Sequence, residues 1–117
     1  MIGRTRLIAI AATVALACLP ASARAQRAFM TVNELQSLCN TNGAWGMVAC
    51  TAYVMAIFEV MYSNPIYGWS ACFPPGAIAG QMTDVVKRFL ARHPEQRHNT
   101  AGSLVAQALA EAFPCNT

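Results

Sequence analysis

MVACTAYVMAIFEVMY, residues 47–62, is the most apolar stretch of the chain beyond its first 25 residues, and its reading decides the fold. Sixteen residues without glycine or proline favour a helix over a strand. Only Thr51 and Glu59 are clearly polar; with Met55 they line one narrow stripe. A helix apolar nearly all round is either central or covered by a partner. The expectation is a central helix, with a partner or dimer face as the alternative.

Upstream, Thr31-Val32-Asn33-Glu34 has the form of a capping box, with Met30 and Leu35 at the positions of a hydrophobic staple. A short helix over residues 31–39 follows, with Leu35, Leu38 and Cys39 on one face. Asn40-Thr41-Asn42-Gly43 ends it with residues that tolerate left-handed backbone. Downstream, residues 63–76 (SNPIYGWSACFPPG) hold three prolines and two glycines and read as a loop. Its Ile66, Tyr67, Trp69 and Phe73 make it either a lid packed on the core or a recognition surface.

Two more helices complete the pattern. In residues 77–93, Ile78, Met82, Val85, Val86, Phe89 and Leu90 recur with the helical period, and Pro94 stops the run. Lys87, Arg88 and Arg92 gather toward its C-terminus, where cations suit the helix dipole. Residues 99–113 place Leu104, Val105, Ala108, Leu109, Ala112 and Phe113 on one face, while Ala101, Ala106 and Ala110 permit close helix approach. The expected architecture is all-α: a small bundle of four or more helices.

The N-terminus reads as a secretory signal peptide. Residues 1–6 (MIGRTR) carry two arginines, residues 7–19 (LIAIAATVALACL) are an apolar run of 13, and Ala23-Arg24-Ala25 fits the small-x-small cleavage rule. The run is shorter than the ~20 residues a membrane span needs. The expected division is a signal peptide over 1–25 and one helical domain over 26–117, exported to the periplasm with no membrane attachment after cleavage. Ala15-Leu16-Ala17-Cys18 has alanine where leucine is usual, three residues before a lipidated cysteine, so Cys18 reads as apolar filler.

Cleavage changes the arithmetic. The net +3 of the whole chain resides in Arg4, Arg6 and Arg24. What remains is balanced: Arg27, Lys87, Arg88, Arg92 and Arg97 against Glu34, Glu59, Asp84, Glu95 and Glu111. A neutral domain without a basic patch argues against nucleic-acid binding, which rests on a cationic surface. The five cysteines become four, Cys39, Cys50, Cys72 and Cys115, and an even count in an exported small domain points to two disulfides. Three pairings are open. In an up-down bundle Cys39 and Cys50 fall near one end, Cys72 and Cys115 near the other, which favours 39–50 with 72–115.

Catalytic chemistry finds no foothold. There is no Gly-x-Ser-x-Gly, no phosphate-binding glycine loop and no His-Glu-x-x-His. No cysteine pair is spaced Cys-x-x-Cys, as redox motifs and zinc knuckles require. His93 and His98, five apart across Pro94, read as the close of one helix and the opening of the next. No enzyme activity, cofactor or metal is expected.

One set of residues resembles a known family. Cys72-Phe73-Pro74-Pro75-Gly76, Gln81-Met82, Val85-Val86, Phe89-Leu90, His93-Pro94-Glu95, His98, Ala101, Leu104-Val105, Ala108-Leu109 and Phe113-Pro114-Cys115 resemble the Tai-type immunity proteins, and Cys50-x-x-Tyr53 extends the likeness. Members neutralise peptidoglycan amidase effectors of type VI secretion systems in the periplasm. Where members often carry glycine and aspartate after the tyrosine, this chain has Ala56 and Glu59. The resemblance implies a binding protein whose partner is a cell-wall amidase and which occludes that enzyme's active site. It also implies a tendency to form homodimers, for which the Met55 stripe is available. Ile66, Tyr67 and Trp69 are the expected contact residues, because loops carry binding more often than helix interiors. The competing expectation is a small periplasmic stress chaperone of the Hde type, also exported, helical and disulfide-bonded.

Overall fold

The computed structural model describes residues 29–116; the expected signal peptide and Cys18 lie outside the described residues. The chain forms α1 (Val32–Cys39), α2 (Ala44–Ser63), α3 (Ala79–Arg92), a 3₁₀ turn (Pro94–Gln96) and α4 (Ala101–Ala112). The fold is all-α, as the hydrophobic periods require: among the described residues there are four α-helices and no strand, only two isolated β-bridges.

α1 begins where its local chemistry says it should. The Thr31 hydroxyl accepts from the Glu34 N–H at 3.3 Å, and Glu34 Oε2 accepts from the Thr31 N–H at 2.7 Å. The first helical amides find partners elsewhere in the chain. Val32 N–H donates to Asn99 O (2.9 Å) and Asn33 N–H to Arg97 O (3.1 Å), while Ala101 N–H donates to Met30 O (2.8 Å). Amides that a helix leaves orphaned thus fasten α1 to the approach of α4.

The central helix is α4. Eight of its 12 residues are buried, against four of 20 in α2. This corrects the expectation for residues 47–62, and side-chain size is the reason. Ala101, Gly102, Ala106, Ala108 and Ala110 let neighbours close in from several sides, with Leu104, Val105 and Leu109 filling the gaps between. α2 is more hydrophobic but turns only Gly46, Cys50, Val54 and Met61 fully inward. By length and composition it is able to cross a membrane, with a mean hydropathy of 1.6; here it is part of a bundle, covalently tied to α1. Its outer face displays Trp45, Val48 and Tyr62 to solvent.

α3 matches its amphipathic pattern, burying Met82, Val86, Phe89 and Leu90, with Val85 at the margin. Ile78, counted with that face in the sequence, is exposed: it is the N-cap and stands outside the helix, its N–H donating to Gln81 Oε1. The buried Thr83 hydroxyl donates to Ala79 O at 2.8 Å, so its polarity costs the core little. Two disulfides join the elements. Cys39–Cys50 locks the α1–α2 corner, and Cys72–Cys115 ties the α2–α3 loop to the end of the chain beyond α4.

Candidate functional site

The segment between α2 and α3 is built in two layers. Its lower layer is aromatic packing. Phe73 meets Phe58 edge-on with ring centroids 4.5 Å apart, lies 5.4 Å from Phe113, and stacks parallel to Tyr62 at 6.4 Å. The Cys72 N–H donates to Phe113 O (2.9 Å), beside the Cys72–Cys115 disulfide. This layer nails the loop to α2 and to the end of α4.

The upper layer is a tight turn. Ile66 N–H donates to Trp69 O (3.0 Å) and Trp69 N–H to Ile66 O (2.8 Å). Between them Tyr67 has φ +51° and Gly68 φ +80°. Two successive positive φ values match the twist of a type I′ turn, where asparagine and glycine are the usual residues. Tyrosine in that conformation costs roughly 1–2 kcal/mol of backbone strain. Among the described residues Tyr67 is the only non-glycine with positive φ.

The three expected contact residues are therefore together but not alike. Ile66 and Trp69 are half-buried and pack against the core. Tyr67 is 56% exposed at the tip. One edge of its ring rests on α4: a Cβ placed on Gly102 would lie 3.2 Å from Tyr67 Cε2, 3.3 Å from Tyr67 Oη and 3.5 Å from Tyr53 Oη. Burial pushes the Tyr53 phenol up from its ordinary pKa, and the neighbouring Tyr67 adds to the rise; the Gly102 backbone opposes it. Tyr53 and Gly102 were not expected at this site. The available signal was a lone glycine inside an alanine-rich helical pattern, which marks close approach by something else.

Other candidates are dispersed. His93 Nδ1 lies 2.8 Å from Glu95 Oε1, and the His93 ring stacks on Phe89 at 4.1 Å, so this histidine closes α3. That hydrogen bond holds the Glu95 carboxyl below its usual pKa. Among the described residues no three His, Cys, Asp or Glu side chains gather as metal ligands would. Arg88 and Arg92 border a cleft of about 250 Å³ between α3 and α4, with Glu111 on the same rim.

A rigid helical domain, stapled twice and presenting one strained aromatic turn, is built like a protein-binding module. The model of the Rap1a immunity proteins matches residues 31–115, from the cap of α1 to the last cysteine, and the chain belongs to that family. Membership implies a protein that binds a secreted effector and inhibits it without catalysis. No curated protein and no solved structure matches the chain.

Proposed function

We propose that the chain is exported, loses residues 1–25, and acts in the periplasm as the immunity partner of a type VI secretion peptidoglycan amidase. In this reading it blocks the amidase by seating the Ile66–Trp69 turn in the catalytic groove. The observation that carries the reading is Tyr67: an exposed aromatic held at positive φ on a hydrogen-bonded turn. Strain of this kind persists where surrounding structure imposes it, and it gathers at functional sites. A ring presented from a fixed backbone also loses little freedom on binding. Two disulfides suit an oxidising compartment, and the leader-like N-terminus supplies the route there.

The test is inhibition of an exported cysteine amidase encoded beside the gene for this chain, assayed on purified peptidoglycan. Tyr67→Ala should weaken inhibition at least ~10-fold, the loss of one buried interface anchor. Unchanged inhibition by a folded Tyr67→Ala protein would move the contact elsewhere. Trp69 is a poorer probe, because its partial burial mixes stability into the result.

For the outer face of α2 we propose a second copy of the chain. Trp45, Val48, Ala52, Met55, Glu59 and Tyr62 recur every three or four residues along one side of the helix. A two-fold axis through Met55 would set α2 antiparallel to its copy, the closed symmetry most dimers adopt. Thr51 would then stand opposite Glu59, and Val48 opposite Tyr62. The face's single carboxylate would have a hydroxyl donor across the axis. Sedimentation should show a dimer for the wild type and a monomer of equal helicity for Ala52→Glu; a wild-type monomer throughout the micromolar range removes the proposal.

A further inference from the structure

Glycine inside a helix loses more freedom on folding than alanine, so it persists there for a reason. α4 is rich in alanine, yet its second residue is Gly102, which is buried. The equivalent position of α3 is Gly80, around which a Cβ would meet nothing within 4 Å. At Gly102 the same Cβ would press on Tyr67, at 3.2 Å from ring Cε2 and 3.3 Å from Oη, tighter than ordinary contact, and reach Tyr53 Oη at 3.5 Å. The space left by the missing side chain is therefore occupied, and its principal occupant is the exposed ring of the turn.

We infer that Gly102 is a positioning residue for partner recognition: it seats the Tyr67 ring and sets the direction in which the phenol is offered. The inference rests on the reading of the 66–69 turn as the contact site. Two constraints act on Tyr67 from different parts of the chain. The reciprocal Ile66–Trp69 hydrogen bonds fix its backbone, and the bare surface of α4 fixes its ring. Neither alone defines where the hydroxyl points. A Cβ added at 102 meets Tyr67 most closely and the Tyr53 hydroxyl less closely; the Tyr67 ring is more than half exposed, so it is the part that yields.

This makes stability and recognition move in different directions. Gly102→Ala replaces a poor helix former with the best one, so the melting temperature should hold or rise. Its affinity for the amidase used above should nevertheless fall at least ~5-fold, because the anchor is displaced from its binding pose. Tyr67→Ala run alongside separates the outcomes. If both variants weaken binding while Gly102→Ala keeps its melting temperature, the assignment stands. If Tyr67→Ala weakens binding and Gly102→Ala does not, Gly102 has no positioning role and the contact reading survives alone. If Tyr67→Ala binds like the wild type, both readings fall. Should Gly102→Ala not fold, the wild-type protein still decides. The Gly102 α-protons lie under an aromatic edge, so their NMR resonances should be displaced by ring current and should move in Tyr67→Ala. Resonances that do not respond to Tyr67→Ala overturn the assignment.

Discussion

Two regions of the chain are each closed by a disulfide, and they are built on opposite principles. At the α1–α2 corner Cys39 and Cys50 are 2% and 1% exposed, only 11 residues apart, and continuous with the core. At the α2–α3 loop Cys72 and Cys115 are exposed and 43 residues apart. The corner is a packed joint in which sulfur is core volume. The loop is a surface feature, held down at its base while the Tyr67 ring stays exposed. A covalent bond thus does two jobs: at one place it completes the interior, at the other it fixes the base of a presented turn.

The sharpest way to break this comparison is to remove each bridge. Loop closure alone attributes about 3 kcal/mol to Cys39–Cys50 and about 4 kcal/mol to Cys72–Cys115, the longer loop contributing more. Burial reverses the order. Serines at 39 and 50 would place two hydroxyls in a dry site, at about 1–3 kcal/mol each if unpaired. Cys39→Ser/Cys50→Ser should therefore lose roughly 5 kcal/mol or more, enough to unfold a domain of ordinary stability. Cys72→Ser/Cys115→Ser should lose at most the entropic ~4 kcal/mol and remain helical. Urea unfolding of both serine pairs and both alanine pairs gives the answer. Serine and alanine should differ at the corner and agree at the loop; equal behaviour at the corner would erase the distinction. A mild dithiol should also open Cys72–Cys115 first, trapped by alkylation and mapped by mass.

Much of this was legible in the sequence, and the failures have a common cause. The Thr31–Glu34 cap and the α3 stripe are local patterns, so they could be read directly. The disulfide pairing needed only the order of the helices. The centre of the bundle is harder to read, because hydropathy measures what a helix would bury and not what its neighbours leave room for. α2 is the more apolar helix, but α4 has the small side chains that admit neighbours. At the candidate site the aromatic loop stood out, whereas the division of labour within it did not. Ile66 and Trp69 face the core and Tyr67 faces outward because of a turn whose Tyr-Gly centre lacks the usual Asn-Gly signature. The seat on Gly102 joins residues 35 positions apart, and no local pattern encodes it.

The comparison also has a finer test, in the two glycines that serve these regions. Gly46 is needed for space. A Cβ there would overlap Thr41 Cγ2 and lie 3.1 Å from the Leu38 carbonyl oxygen. Thr41 is not free to turn away, because its hydroxyl oxygen accepts from the Gly43 N–H at 3.2 Å. Gly46→Ala should therefore cost about 1–3 kcal/mol of global stability through overpacking, despite the better helix former. Gly68 is needed for conformation: nothing lies within 4 Å of its Cβ position, but its φ is +80°. Gly68→Ala should cost about 1 kcal/mol of backbone strain, and the loss should appear locally. Amide exchange at Ile66 and Trp69, the two N–H groups that close the turn, should quicken while exchange in the core of α4 changes little. If Gly68→Ala instead accelerates exchange throughout α4, the turn is part of the same cooperative unit as the corner, and the two regions are not built differently after all.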